Sequence, residues 1–462
     1  GADLKQIHRD IYSPTNRAEY VAANLDNLNV EQSSPSTDSR TAKLGLEYCA
    51  TMEREIVSGI ITPMNDREAK ASPQWPHWRA SLNKEMSALH KTGTFEVVER
   101  KKMIAAGKKT KGVKVVYKLK RDKEGNLATY KCRLVVQGFN LFPNNEYHEK
   151  HSSVLSPSSL RLLTYIEAQT GEVMSSADIG NAFLEADMDS EHEVYVEIHP
   201  DAPIEGKPSK DWVLRLRKTL YGLPQAGRAF QRAFNKTMHQ MGFRRLATDD
   251  CLWVFYHPTR GRIIVGNYVD DLVCLTKSTW LRDWWRSKLK KRFGKVTHED
   301  KADYLLGVRL DRGTDETGQR YIELGHEQSI ARIAEQAQAT KLKRVYTPMD
   351  STLRLRKKGM GDEVGEEPKD PGQTSDEQDL ADAGYTPPYK YASVLGAVMY
   401  IANMTRPDIV TAVNRLSRYV SDPGKPHYQA LTKLVAYLYQ TRDRKLRYTQ
   451  VPADSEHDPF RL

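Results

Sequence analysis

The sequence predicts an α+β protein of several domains, and three observations carry that expectation. Residues 263–277, IIVGNYVDDLVCLTK, are two β-branched-rich apolar runs around the pair Asp270–Asp271, the pattern of a β-hairpin. Residues 113–139, VKVVYKLKRDKEGNLATYKCRLVVQGF, alternate in charge around the turn Glu124-Gly125-Asn126, a second hairpin with one basic face. Between and after these runs lie segments whose apolar residues recur at helical spacing. At 462 residues the chain is long enough for two to four domains, each with a core of its own.

Taken in order, residues 1–70 show no sustained periodicity, least of all EQSSPSTDSRTA, and read as a poorly ordered tail. WRASLNKEMSALHKTGTFEVVER reads as a helix followed by a strand, with Leu82, Met86 and Leu89 on one helical face. SLRLLTYIEAQTG is a helix that stops at Gly171. The strand after it puts Val173, Ser175, Ala177 and Ile179 on one face and Asp178 on the other. Tyr195 and Trp212–Leu214 mark further strands. A helix then carries Phe230, Ala233, Phe234, Thr237, Met238 and Met241 as a core stripe and ends at Gly242. Asp249–Asp250 reads as a plain turn. WLRDWWRSKLKKRF carries Trp285, Leu289 and Phe293 every fourth residue with Arg and Lys on the other face and reads as an amphipathic helix. DYLLGVRL reads as a strand, and HEQSIARIAEQAQATKLKRV reads as a helix. Residues 357–388 form an acidic linker, with nine acidic residues against one Lys between 361 and 383. Residues 389–448 are helical by the spacing of Tyr428, Leu431, Val435 and Leu438, and a polar tail follows.

Composition narrows the class. No run approaches the ~20 apolar residues of a membrane span. The start, GADLKQIHRD, is polar and lacks Met, as expected of either a cut piece of a longer polyprotein or a trimmed chain. Cys49, Cys132, Cys251 and Cys274 are far apart and form no CxxC pair, so neither a zinc site nor a disulfide framework is expected. A formal net charge of +10 and a pI near 9.1 favour a polyanionic partner. Two carboxylates packed against an apolar sheet are costly unless a cation neutralises them, and hard oxygen ligands select Mg²⁺. Asp178 is the candidate third carboxylate.

Read in order, KCRLVVQGF, DIGNAFLEADM, LRKTLYGLPQAGRAF, YVDD, YLLGVRL and YASVLGAVMYIANMTRPDIVTAVNRLSRY resemble the reverse transcriptase of copia-type LTR retrotransposons, over roughly residues 68–448. The resemblance implies a right-hand polymerase of fingers, palm and thumb with a helical C-terminal thumb/connection region. Residues 1–70 would be an upstream, integrase-side linker and 71–165 the first part of the fingers. The palm, with a second fingers insertion, would span 166–318 and the thumb would start over 319–356. The linker 357–388 and a helical region 389–448 would follow, and then a tail, 449–462, too short for an RNase H domain.

The same resemblance implies RNA- and DNA-templated DNA synthesis with two Mg²⁺ ions, Mn²⁺ being the substitute. Asp178, Asp270 and Asp271 would be catalytic and hold the metals, Asp271 less directly. Lys131, Arg133, Phe183, Gln225 and Tyr268 would contact the nucleotide, with Lys131 and Arg133 on the triphosphate, Phe183 as steric gate and Tyr268 beneath the primer terminus. Leu306–Gly307 would be the primer grip. Gly180 departs from the charged or polar residue such enzymes commonly carry. Expected partners are an RNA template, a DNA primer, RNA/DNA hybrid and deoxynucleoside triphosphates. An oligomer with itself or other Pol products is left open, and no membrane is expected. The place of action would be a cytoplasmic virus-like particle, or the nucleus with the integration complex. The rival is a domesticated or inactive copy that binds nucleic acid or assembles particles.

Overall fold

The computed structural model describes residues 56–121, 126–138, 152–188, 193–356 and 385–451. These fall into two compact units. The first is formed by the described residues within 54–155 and 175–300, the second by those within 156–174 and 301–462; residues 1–53 lie outside the described residues. Most of the expected acidic linker, 357–384, also lies outside them.

The first unit is built on a six-stranded sheet. Its order is Arg244–Arg245, Leu252–His257, Gly261–Tyr268, Asp271–Thr276, Val173–Ile179, Val296–Glu299. Ile263 to Asn267 are all buried, so the sheet is covered on both faces, which is why this run is apolar without alternation. On one face lie the helices Ala226–Gln240 and Thr279–Phe293, and Phe230, Phe234, Met238, Trp253, Trp285, Leu289 and Phe293 share one core. The helical stripes seen in sequence are thus the buried faces. Asp249 caps the Cys251 N–H at 2.8 Å and Asp250 faces Arg245, so that acidic pair is a turn.

The basic hairpin is a separate two-stranded ribbon, Val113–Arg121 paired with Leu127–Val136. The helix Trp75–Lys91 lies along it, burying Trp78, Leu82 and Leu89. Among the described residues one edge of Leu127–Val136 has no partner strand, and other groups take up its backbone donors. Ser81 Oγ accepts from the Cys132 N–H at 2.9 Å. The Glu85 carboxylate accepts from Leu134, and the Tyr221 carbonyl accepts from Val136 at 2.8 Å.

The second unit has a four-stranded sheet, Tyr304–Leu305, Val308–Thr314, Arg320–Gly325 and Leu446–Thr449. The helix Pro157–Thr170 packs on it. Helices Glu327–Gln336, Tyr391–Met404, Val410–Ser417 and Lys425–Gln440 enclose a core that includes Val394, Val398, Leu431 and Val435.

Several expectations are corrected. Ordered chain begins before residue 71: Ile56–Val57 pairs with Ile60–Ile61, and Asp66–Ala71 is a helix capped by Asn65. DYLLGVRL is a tight hairpin rather than one strand, because Leu306 and Gly307 both take positive φ, +53° and +79°. The region after 318 is not purely helical, since Arg320–Gly325 and the edge strand Leu446–Thr449 complete a sheet. The helix from Glu327 ends at Gln336, two residues before Gln338 turns left-handed (φ +54°). Val173 is exposed, so only Ser175, Ala177 and Ile179 form the buried face of their strand.

Candidate active site

Asp270 stands in the turn between Gly261–Tyr268 and Asp271–Thr276, where Tyr268 pairs with Asp271. Val269 in that turn has φ +56°, a conformation that costs a β-branched residue about 1–3 kcal/mol. The strand bearing Asp178 lies next to the hairpin, and the Ile179 N–H donates to the Asp270 carbonyl at 3.1 Å. The three carboxylates therefore meet at one end of two neighbouring strands.

Their electrostatics show the crowding. Burial pushes the Asp270 carboxyl up and Asp178 adds to it, while Arg133 and Lys131 pull it back. Asp271 keeps a solvent-exposed edge, yet its crowded apolar setting, then Asp270 and Asp178, push it up to about 6. All the donors are hard carboxylate oxygens, so the set fits a divalent cation. Among the described residues, the acidic group whose ligand atoms all lie within 4.8 Å of one another is a different one, described below.

The ribbon brings cations to these carboxylates. Lys131 and Arg133 alternate with buried Cys132 and Leu134, which places both on the face away from the helix-packed core. Burial, then Arg133 and Lys120, hold the Lys131 amine below its ordinary value, whereas Glu85 and Asp178 raise it. Arg133 lies over the Tyr221 ring, 4.7 Å from its centroid, and its Nε is buried without a hydrogen-bond partner.

Two motif glycines make this approach possible. A Cβ on Gly138 would stand 2.0 Å from the Gly222 carbonyl oxygen, and one on Gly222 (φ +86°) 2.2 Å from the Val136 oxygen. KCRLVVQGF and LYGLPQAGR thus meet backbone to backbone. Gly180 differs: a Cβ there would sit 2.9 Å from Cδ of Lys295, a flexible side chain that can move aside.

Gln225 caps the helix that begins at Ala226, and its Oε1 is buried without a partner. Phe183 is half-buried in the short 3₁₀ turn Ala182–Glu185, edge-to-face with Tyr221 at 5.4 Å. Tyr268 is half-buried at the last position before the turn. Leu306 and Gly307 belong to the second unit, where the Tyr400 hydroxyl donates to the Leu306 carbonyl at 2.6 Å.

Sequence reasoning missed Tyr221 and Glu85. Glu85 sits at the helical position four after Ser81 and reads as surface; Tyr221 reads as one more core ring. It also missed Asp66, His199 and Asp201, whose ligand atoms all lie within 4.8 Å of one another. Hydrogen bonds and an ion pair link its members to one another and to their neighbours. His199 Nδ1 accepts from the Asp201 N–H at 3.2 Å, so Nε2 is the protonated nitrogen and donates to Asp66 at 3.0 Å. Tyr117 donates to the other Asp66 oxygen at 2.8 Å, and Lys70 pairs with Asp201 Oδ1 at 2.6 Å.

Among the described residues no helix is long and apolar enough to cross a membrane. The family described as reverse transcriptase (RNA-dependent DNA polymerase) matches residues 93–351, more than half of the chain. The chain is similar to the retrovirus-related Pol polyprotein from transposon TNT 1-94 of Nicotiana tabacum, 30% identical over 89% of this chain and 29% of that protein. It is 29% identical to the transposon RE2 Pol polyprotein of Arabidopsis thaliana, over 79% of this chain and 23% of that protein. It is 28% identical to the putative transposon Ty5-1 protein of Saccharomyces cerevisiae, over 59% of this chain and 78% of that protein. It thus spans under a third of the length of the two plant relatives. Reverse transcriptases bind template, primer and deoxynucleoside triphosphates and generally use divalent metal ions. By its motifs, its fold and these matches, the chain belongs to the RNA-directed DNA polymerases, as the reverse transcriptase of a copia-type LTR retrotransposon Pol polyprotein.

Proposed function

We propose that this chain adds deoxynucleotides to a primer on RNA and DNA templates, using two Mg²⁺ ions held by Asp178, Asp270 and Asp271. The observation that carries the reading is the convergence, within one unit, of three mutually repelling carboxylates with the cations Lys131 and Arg133. When bound, the ions supply an activated primer 3′-hydroxyl and a stabilised pyrophosphate leaving group.

The chain's own groups do the rest. Asp178 and Asp270 hold the cations and Asp271 completes the charge. Arg133 grips phosphate oxygens with its planar fork and Lys131 with a mobile point charge. The unpartnered Gln225 amide oxygen accepts from the nucleotide sugar. Phe183 lies against the sugar, where deoxyribose fits and a 2′-hydroxyl would clash and lose its water. Tyr268 supports the primer terminus and the Leu306–Gly307 turn grips the primer strand. In this reading the ribbon and its helix are fingers, the six-stranded sheet is palm, and the second unit carries thumb and connection. The place of action in this reading is a virus-like particle, alongside other Pol products, or the nucleus with the integration complex.

The test is extension of a DNA primer on an RNA template with Mg²⁺, beside Asp270→Asn. Extension by the wild type and a loss of roughly 10²–10³-fold or more in the variant, with template binding kept, is the expected result. Equal extension by both would remove the site assignment. No extension by the wild type would favour a copy that only binds.

A further inference from the structure

We propose that Tyr221 is a positioning residue that couples the triphosphate grip to the choice of sugar, a role that rests on the nucleotide-site reading above. One ring touches both parts. Its face lies under the Arg133 guanidinium, 4.7 Å from the centroid, and it meets Phe183 edge-to-face at 5.4 Å and 87°. Both contacts are favourable in kind, a cation over a π face and a T-shaped aromatic pair.

The ring is held from behind. The Tyr221 carbonyl accepts the Val136 N–H at 2.8 Å, and the next residue, Gly222, packs against the Val136 oxygen. That fixes the ring's root to the same strand that carries Arg133. The Phe183 side is fixed too. The Thr219 hydroxyl donates to the Phe183 carbonyl, and the Thr219 N–H donates to Ala186 at 2.9 Å. The 3₁₀ turn bearing Phe183 and the loop bearing Tyr221 are therefore joined at three points.

The consequence is mechanical. Phosphate binding engages Arg133, and Arg133 cannot shift without changing its contact with Tyr221. Tyr221 in turn is the neighbour against which the Phe183 ring rests. A correctly gripped triphosphate thus tightens the wall against which a ribose 2′-hydroxyl would collide, and a poorly gripped one loosens it. Discrimination becomes a property of Phe183 and Tyr221 together.

Single-nucleotide incorporation, with KM and kcat for matched deoxy- and ribonucleotides, tests this in wild type, Phe183→Ala, Tyr221→Leu, Tyr221→Met, Tyr221→Phe and Phe183→Ala/Tyr221→Leu. Tyr221→Leu and the space-filling Tyr221→Met should raise the ribo/deoxy efficiency ratio roughly tenfold or less, as loss of one aromatic pair allows. Both should raise KM for the deoxynucleotide by a similar factor through Arg133, with kcat little changed. Tyr221→Phe keeps the ring but loses the hydroxyl's hydrogen bond with Arg133, so it should keep the ratio with at most a small rise in KM. The double variant should show less than the product of the single effects. If the Leu and Met variants lower both substrates alike and lower the melting temperature, with the ratio unchanged, Tyr221 is packing and the coupling is overturned. A changed ratio in Phe183→Ala beside an unchanged one in both Tyr221 variants overturns the coupling alone. An unchanged ratio in Phe183→Ala overturns the gate reading and the coupling together.

Discussion

In the second unit Glu167 and Arg312 face each other at 2.6 Å, both largely buried, while in the first Asp270 and Asp271 face a third carboxylate. The same contrast recurs. Arg406 closes on Asp408 at 2.8 Å and Lys445 on Asp311 at 2.6 Å, so the second unit uses these charges to hold itself together. In the first unit Arg133 Nε and Gln225 Oε1 are buried without partners, and Val269 is held at a positive φ. Buried unpartnered atoms and positive φ occur in both units, His326 Nε2, Leu306 and Gln338 in the second, so what sets the first apart is the meeting of three carboxylates with Arg133 and Lys131. Charges that stabilise should therefore be separable by mutation from charges that act.

The largest effect on stability should come from Arg312→Met. It leaves Glu167 buried without its cation, and breaking a buried pair costs ~3–5 kcal/mol. Urea unfolding measures it. A loss below ~1 kcal/mol would mean that the pair is no better than a surface one.

A pH effect should follow in size. His326 is buried against Thr405 and Tyr400, with Glu327 as the charged neighbour, and burial lowers it from 6.5 to about 4. The unfolded chain then binds the proton more tightly, so this neutral histidine's stabilisation is complete above about pH 6.5 and falls towards pH 4. The slope should approach ~1.4 kcal/mol per pH unit and flatten in His326→Leu. An unchanged slope in that variant would place the acid sensitivity elsewhere.

The smallest effect sharpens the comparison from the other side. Val269→Gly relieves a strained turn and adds backbone freedom, so stability should change by no more than ~1 kcal/mol. Primer extension should fall nonetheless, because Asp270 next to it loses its fixed position. Full activity in this variant would show that the strain serves nothing.

Much of this was legible in the sequence, for local reasons. The Asp hairpin, the basic ribbon and the stripes Phe230–Phe234–Met238 and Trp285–Leu289–Phe293 announce themselves through spacing. What was missed is non-local or short. Leu446–Thr449 is a half-exposed edge strand of four residues, LRYT, and carries no alternation to read. The Leu306–Gly307 turn puts a leucine where a glycine or asparagine would have marked it. Tyr221 gains its place only because Gly138 and Gly222 let two distant motifs touch.

The central claim is that Asp178 and Asp270 hold divalent ions, and Mg²⁺-dependent stabilisation tests it most directly. Melting would be followed during a Mg²⁺ titration with a chain-terminated primer–template and the next deoxynucleotide present, in wild type and in Asp178→Asn/Asp270→Asn. A ligand that binds the native state alone raises the melting temperature as its concentration rises. The account predicts a steady rise for the wild type and almost none for the double variant, whose metal-free melting temperature is no lower. The same rise in both proteins would contradict it.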